Sequence, residues 1–301
     1  MADELRPVSA EVAELGEGAR WDGTAGELLW VDIMAGVLRR AVEDGEGLRT
    51  VEVLSIGEPL GAAAPLSDGT GWLLAAGRGF TRLARDGTAT KLLDTEPEGV
   101  RMNDAACDPQ GRFWAGSMAY DQRPGAGRLL RCDPDGTVRV MLPHTDIANG
   151  LGWSPDGRTL YHADSGTKVV TAYDPETMAG RVLIRPERGA PDGLTVDAEG
   201  AIWVALHGAG EVRRYDPDGN TLSVWPLPVS QPTSVAIGGA SGRRLFVTTA
   251  WENLGPEQRA AEPDAGRVFA ADAGVGAPPV RPCQGQLPRI RGRTRDFPHG
   301  S

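Results

Sequence analysis

Six positions in this sequence share one phase, and four of them carry a carboxylate or a carboxamide. A recurring turn ends on Gly71, Gly111, Gly157, Gly200 and Gly242, and eight residues before these lie Ala63, Asn103, Asn149, Asp192 and Ser234. The first copy has a longer turn. It aligns through Trp21 and Trp153, each four residues after the position in question, and yields Glu17. Side chains in one phase of a repeat converge if the repeats close around an axis. Uncompensated carboxylates confined together are costly. A hard divalent cation with oxygen ligands removes that cost, and Ca²⁺, Mg²⁺ or Mn²⁺ suits the set. One such group per repeat leaves coordination positions for water or substrate, which metal-assisted hydrolysis requires. A single Asn-Gly or Asp-Gly reads equally well as turn chemistry. Four in phase argue for a site.

The elements that must position these residues follow from the repeat. "SPDGRTLYHADS" (154–165) matches "DPQGRFWAGSM" (108–118) and "DAEGAIWVALH" (197–207), with weaker copies at 22–33, 67–77 and 239–250. With Gly26, the anchoring glycines lie 45, 40, 46, 43 and 42 residues apart. A second Asp/Pro/Gly turn follows in most units, as in "CDPDGT" (132–137) and "YDPDGN" (215–220). These are hairpin turns, so each unit holds four strands. That period predicts an all-β fold, a six-bladed β-propeller with four antiparallel strands per blade. The propeller is expected to span 1–277 as one domain, because a ring must close to hide its edges. "PEQRAAEP" (256–263) is the only helical turn expected, and "PVSAEVAELG" (7–16) is expected to close the ring as a strand. With strands lettered A to D outward from the axis, A–B and C–D turns share one face. The longer B–C and D–A loops share the other, where function is expected. Asp108, Asp133, Asp156, Asp174, Asp197 and Asp216 fall in the tight turns and are read as structural.

Composition limits the partners. Of 301 residues, 41 are Gly and 23 Pro, and the net charge is −10, which disfavours nucleic acid and anionic membranes. No apolar run approaches a membrane span and the acidic N-terminus lacks a signal core, so a cytoplasmic protein is expected, monomeric or weakly homo-oligomeric. Cys107, Cys132 and Cys283 are odd in number and widely spaced, which fits neither a disulfide framework nor a zinc motif. Residues 278–301 are basic and rich in Pro and Gly and read as a loosely ordered tail.

Five segments carry a resemblance. "LGEGARW" (15–21), "RMNDAACDPQGRFWAGSM" (101–118), "DIANGLGWSPDG" (146–157), "APDGLTVDAEGAIWVA" (190–205) and "QPTSVAIGG" (231–239) stand in the order found in the SMP-30/gluconolactonase/luciferin-regenerating-enzyme family, which the chain resembles. The resemblance implies a six-bladed propeller with one divalent metal held by Glu17, Asn149 and Asp192. Ca²⁺ is the first expectation, with Zn²⁺, Mn²⁺ or Mg²⁺ as alternatives. It also implies that Arg101, Asn103 and, in the loop "MAYDQRPGAG", Asp121 contact substrate, and that the reaction is hydrolysis of a small sugar lactone. Asp192 would then serve as ligand and general base, and Arg101 would offer its fork of donors. An ion pair of Arg101 with Glu98 or Asp104 is the bland alternative. Two other functions fit the same residues: calcium-dependent phosphotriester or fluorophosphate hydrolysis, and a non-catalytic metal-binding propeller. No G-x-S-x-G elbow is present, which disfavours a serine nucleophile. His207, at the end of a B strand, either reaches the pocket or is a satisfied loop histidine. Trp251 is read as a possible pocket wall.

Overall fold

The computed structural model describes residues 4–278 and 281–284. Among them are six antiparallel four-stranded sheets, arranged as the blades of a six-bladed propeller. Blades one to five occupy 16–55, 60–94, 100–145, 148–184 and 190–226, each running outward in chain order. The sixth joins the two ends of the chain: Pro232–Gly238, Arg244–Thr249 and Phe269–Asp272 supply three strands, and Arg6–Pro7 supplies the outermost. The ring-closing strand is thus shorter and earlier than expected. Residues 8–14 run on without joining a strand, held by bonds such as Ala13 N to Gly266 O (2.9 Å). Among the described residues, helix is confined to Pro256–Ala261.

The turns show why the repeat folds as it does. In the third blade Gly111 N donates to Asp108 O (2.9 Å), and Gly111 takes φ 75°, which a residue with a Cβ rarely adopts. Asp108 accepts from Gln110 N, Arg112 N and, at 2.8 Å, Trp114 Nε1. Asp197 does the same for Glu199 N, Ala201 N and Trp203 Nε1. Both aspartates and both indoles are fully buried. The recurring Asp-x-x-Gly and the tryptophan six residues after the Asp are therefore one lock, joining a turn to a strand in the packed interface between blades.

The cysteines correct one expectation. Cys107 and Cys283 are disulfide-bonded, with Cα atoms 5.6 Å apart and 176 residues between them in sequence. Cys132 is free and buried. Spacing could not reveal the bond, because it joins the inner strand of the third blade to a segment beyond the last blade. Part of the case for a cytoplasmic protein was the absence of a disulfide, and that support falls away. No helix among the described residues is long and apolar enough to cross a membrane. Of the tail at 278–301, Pro278 and 281–284 are described and the rest lies outside the described residues. Cys283 is buried and bonds through its backbone to Pro65 and Ser67 (2.8 Å each).

Candidate functional site

The phase-equivalent positions fall at irregularities of the inner strands. Register slips occur between Met102 and Ala105, Ala148 and Leu151, and Pro191 and Leu194, so Asn103, Asn149 and Asp192 all lie inside bulges. Glu17 borders the corresponding slip in the first blade, between Glu17 and Arg20. A bulge re-aims side chains that a regular ladder would send to alternate faces. The backbones also approach closely around the axis. A Cβ on Gly18, Gly61, Gly150 or Gly193 would press on the next blade, against Gly61 O, Asn103 O, Asp192 O and Ser234 respectively. Asn103 Nδ2 donates to Ala148 O (3.0 Å), and Ala19 N donates to Ser234 Oγ (3.1 Å), which completes the ring. Ser234 is thus a closure element, and Ala63 packs in the core of the first two blades.

Glu17, Asn149 and Asp192 are all buried. Glu17 Oε2 accepts from Gly18 N (3.0 Å), and Asn149 Nδ2 donates to Ser165 Oγ (3.0 Å), which in turn donates to Pro191 O (2.7 Å). Asn149 Oδ1 and Asp192 Oδ1 are buried with no hydrogen-bond partner. Burial, with the Asp104 carboxylate close by, pushes the Glu17 carboxyl up to about 8 despite the opposing pull of Gly18 N and Arg101. Burial and then the charges of Glu17 and Asp104 push Asp192 well above the usual carboxylate range. Asp104 is pushed up to about 6 by burial, with Arg20 pulling the other way. Three acids therefore face two guanidiniums in a space closed to water, and two acceptor oxygens lack donors.

Those features fit a divalent cation. It would supply the positive charge that the cluster lacks and would satisfy oxygens that accept nothing else. Among the described residues no three His, Cys, Asp or Glu side chains form a metal-binding group. A cation here therefore needs the Asn149 carboxamide beside the Glu17 and Asp192 carboxylates.

Arg101 is buried and makes neither of the ion pairs weighed for it. It donates to Met102 O (3.0 Å) and Asn103 Oδ1 (2.7 Å), and the groups that feel its charge are Tyr120, Glu252, Glu17 and Asp192. Asn103 thus holds Arg101 with its oxygen and the fourth blade with its nitrogen. Asp121 is not brought to the cluster. It is exposed in the loop after the third blade's B strand, where it pairs with Arg123 (2.9 Å). Trp251 packs beneath Arg259, whose guanidinium carbon lies 3.7 Å from the ring centroid. His207 is largely buried, and burial lowers its pKa. Sequence reasoning missed Arg20, Glu252 and Ser165 altogether and saw Asp104 only as a partner for Arg101. The one available signal was an acid directly after Asn103, inside a segment with no turn signal of its own.

The ring of six blades and the buried cluster of carboxyl and carboxamide groups on its inner strands define the class: a six-bladed propeller with a polar site on its axis. Residues 15–251 match the SMP-30/gluconolactonase/LRE-like region, and the chain belongs to that family. It is 35% identical over 285 residues to 6-deoxy-6-sulfogluconolactonase of Pseudomonas putida, covering 91% of this chain and 97% of that relative. It is 32% identical over 295 residues to Xenopus laevis regucalcin, covering 93% and 97%. Among solved structures, a calcium-binding protein, regucalcin, from Agrobacterium tumefaciens matches with a TM-score of 0.85 and 28% identity, over 95% of this chain and 98% of that one.

Proposed function

We propose that this protein is a metal-dependent lactonase that hydrolyses a small sugar lactone, with Glu17, Asn149 and Asp192 holding one divalent ion. The observation that carries the reading is the pair of unpartnered acceptor oxygens, on Asn149 and Asp192, beside a Glu17–Asp192 carboxyl pair that cannot be fully ionised without a cation. The lactonase and calcium-binding relatives support it. Ca²⁺ is the ion proposed, since all the ligands are oxygen. When bound, it supplies Lewis-acid polarisation of the lactone carbonyl and of the oxyanion that follows attack. Asp192 takes the proton from the attacking water as the C–O bond forms, and returns it to the ring oxygen as the ester C–O bond breaks. The product is the open hydroxy acid. Arg101, fixed by Asn103, donates to substrate oxygens and orients the ring. The closely packed inner strands keep bulk water from the channel side.

The test is a panel of sugar lactones assayed by acid release, on protein stripped with chelator and reloaded with Ca²⁺, Mn²⁺, Zn²⁺ or Mg²⁺. Turnover that is lost on stripping and restored by one ion is expected. A tightly bound ion with no turnover of any lactone would overturn the reading.

A further inference from the structure

The opposite mouth of the channel holds a separate cavity of about 200 Å³. A water needs only about 10–15 Å³ measured in this way, so the space admits a ligand of several heavy atoms. Its walls are the lower halves of the six inner strands, with apolar surface from Leu151, Trp153 and Ile237. Its rim is a strap of chain. Beyond the last blade, Ala277 N bonds to Gly242 O (2.7 Å), and Cys283 is bridged to Cys107 in the third blade. Arg281, between them, faces the cavity.

Three arginines line this cavity; Arg20 faces the Asp104 carboxylate of the acidic cluster, whereas Arg85, over the Trp72 ring at 4.4 Å, and Arg281 form no ion pair among the described residues. Each spends one nitrogen on a backbone carbonyl: Arg20 on Ala105 O (2.7 Å), Arg85 on Gly69 O (3.2 Å) and Arg281 on Ser154 O (3.4 Å). The acids around them are committed elsewhere. Asp22, the one carboxylate in the lining, accepts from Thr24 N and Ala25 N. Asp108 faces Arg281 but already accepts from Trp114, Arg112 and Gln110. Asp104, next to the Ala105 that Arg20 bonds, accepts from Ala105 N (2.7 Å) and is the carboxylate that faces Arg20. In a chain with 41 acids and 31 Lys and Arg, two guanidiniums without an ion-pair partner among the described residues, around one cavity, are a local reversal of charge. Guanidinium donors of this kind match carboxylate and phosphate oxygens.

We propose that this distal cavity is a second binding site, for a small organic oxyanion whose charged group meets Arg85 and Arg281 and whose body packs on Trp153 and its apolar neighbours. The site is independent of the lactonase reading, because it lies at the other end of the channel and shares none of the proposed catalytic groups.

Calorimetry on metal-free full-length protein tests it with three probes: phenyl phosphate, inorganic phosphate and benzyl alcohol. Phenyl phosphate should bind at one site, more tightly than phosphate, and benzyl alcohol should show no measurable binding. Arg281→Gln and Arg85→Gln should each weaken phenyl phosphate by about tenfold, as expected for loss of a charge-assisted hydrogen bond. Both changes alter surface-facing side chains, and unchanged melting would confirm that the variants fold. Arg101→Ala, at the opposite mouth, should bind phenyl phosphate as the parent does. No binding at millimolar phenyl phosphate, equal binding by the Arg85/Arg281 double variant, or loss of binding in Arg101→Ala would each overturn the proposal.

Discussion

Burial and mutual repulsion push both the Glu17 and the Asp192 carboxyl up, and two predictions follow from that at the scale of single residues. Asp192→Ala removes one of two anionic ligands and the proposed base together. Lactonase activity should fall to background and metal affinity should drop with it. Arg101→Ala removes only donors, since a protonated guanidinium binds no metal. Metal affinity by calorimetry should stay intact while KM rises or kcat falls. Near-normal turnover in the first variant, or loss of metal in the second, would refute this division of roles. The second prediction concerns pH. Glu17 is raised to about 8 from an ordinary 4.5, so the metal-free fold holds this proton more tightly than the unfolded chain does. The resulting stability is complete below the ordinary carboxylate range and disappears as pH climbs through about 8. His162, lowered by burial from 6.5 to about 4, works the other way: the unfolded chain still loses its His proton near 6.5, so stability rises with pH up to about 7 and offsets Glu17 there. Between pH 7 and 8.5 the melting temperature of metal-free protein should therefore fall, and a divalent ion should raise it more at the upper end. A metal-free melting temperature that is flat across that window would contradict the buried Glu17 proton.

Strands and turns carry the site without touching substrate. The inner-strand bulges place Asn103, Asn149 and Asp192, and close glycine contacts set how near the blades come. A Cβ at Gly150 would stand 2.5 Å from both Asp192 O and Leu194 N, so one strand must shift. Gly150→Ala should accordingly cost kcat and metal affinity although Gly150 has no side chain to contribute. Retention of full activity would show that the bulge tolerates movement. The turn locks belong to stability instead. Asp197→Ala strands the buried Trp203 Nε1 and two turn amides and removes one of the two carboxylates that Arg214 pairs with, leaving Glu199. A loss of roughly 2–4 kcal/mol is expected in urea unfolding, with KM unchanged because these turns lie on the face away from the site.

For the molecule as a whole, closure is the central physical requirement, since an open ring exposes two strand edges. The sixth blade closes it by pairing Arg6–Pro7 with Phe269–Asp272. The Cys107–Cys283 bond adds a second fastening across a sequence separation of 176 residues. Chain entropy alone assigns a loop of that size about 5 kcal/mol as an upper value. Reduction, or Cys283→Ser, should therefore lower the melting temperature by roughly 5–10 °C. Initial lactonase rates at 25 °C should hold, because the bond lies at the distal mouth. An unchanged melting temperature would mean that packing of 281–284 suffices without the bond.

The repeat was legible because it is local. Glycines needing φ > 0, aspartates capping turns and alternating apolar strands recur at a fixed period, and six such units have one way to bury their edges. The phase of Asn103, Asn149 and Asp192 could be counted for the same reason, and Glu17 followed from its tryptophan. What those residues face was decided by tertiary structure. Bulges form where neighbouring backbones press together, and the sequence shows only glycines there. Three acids and two arginines reach one channel from three blades, and their shifted protonation exists only once water is excluded. Asp121 looks like a neighbour of the site along the chain but pairs with Arg123 in solvent. The disulfide, the strap and the distal arginine cavity join residues up to 261 positions apart, between Arg20 and Arg281. Contacts at that separation leave no periodic trace in a sequence, because nothing local depends on them.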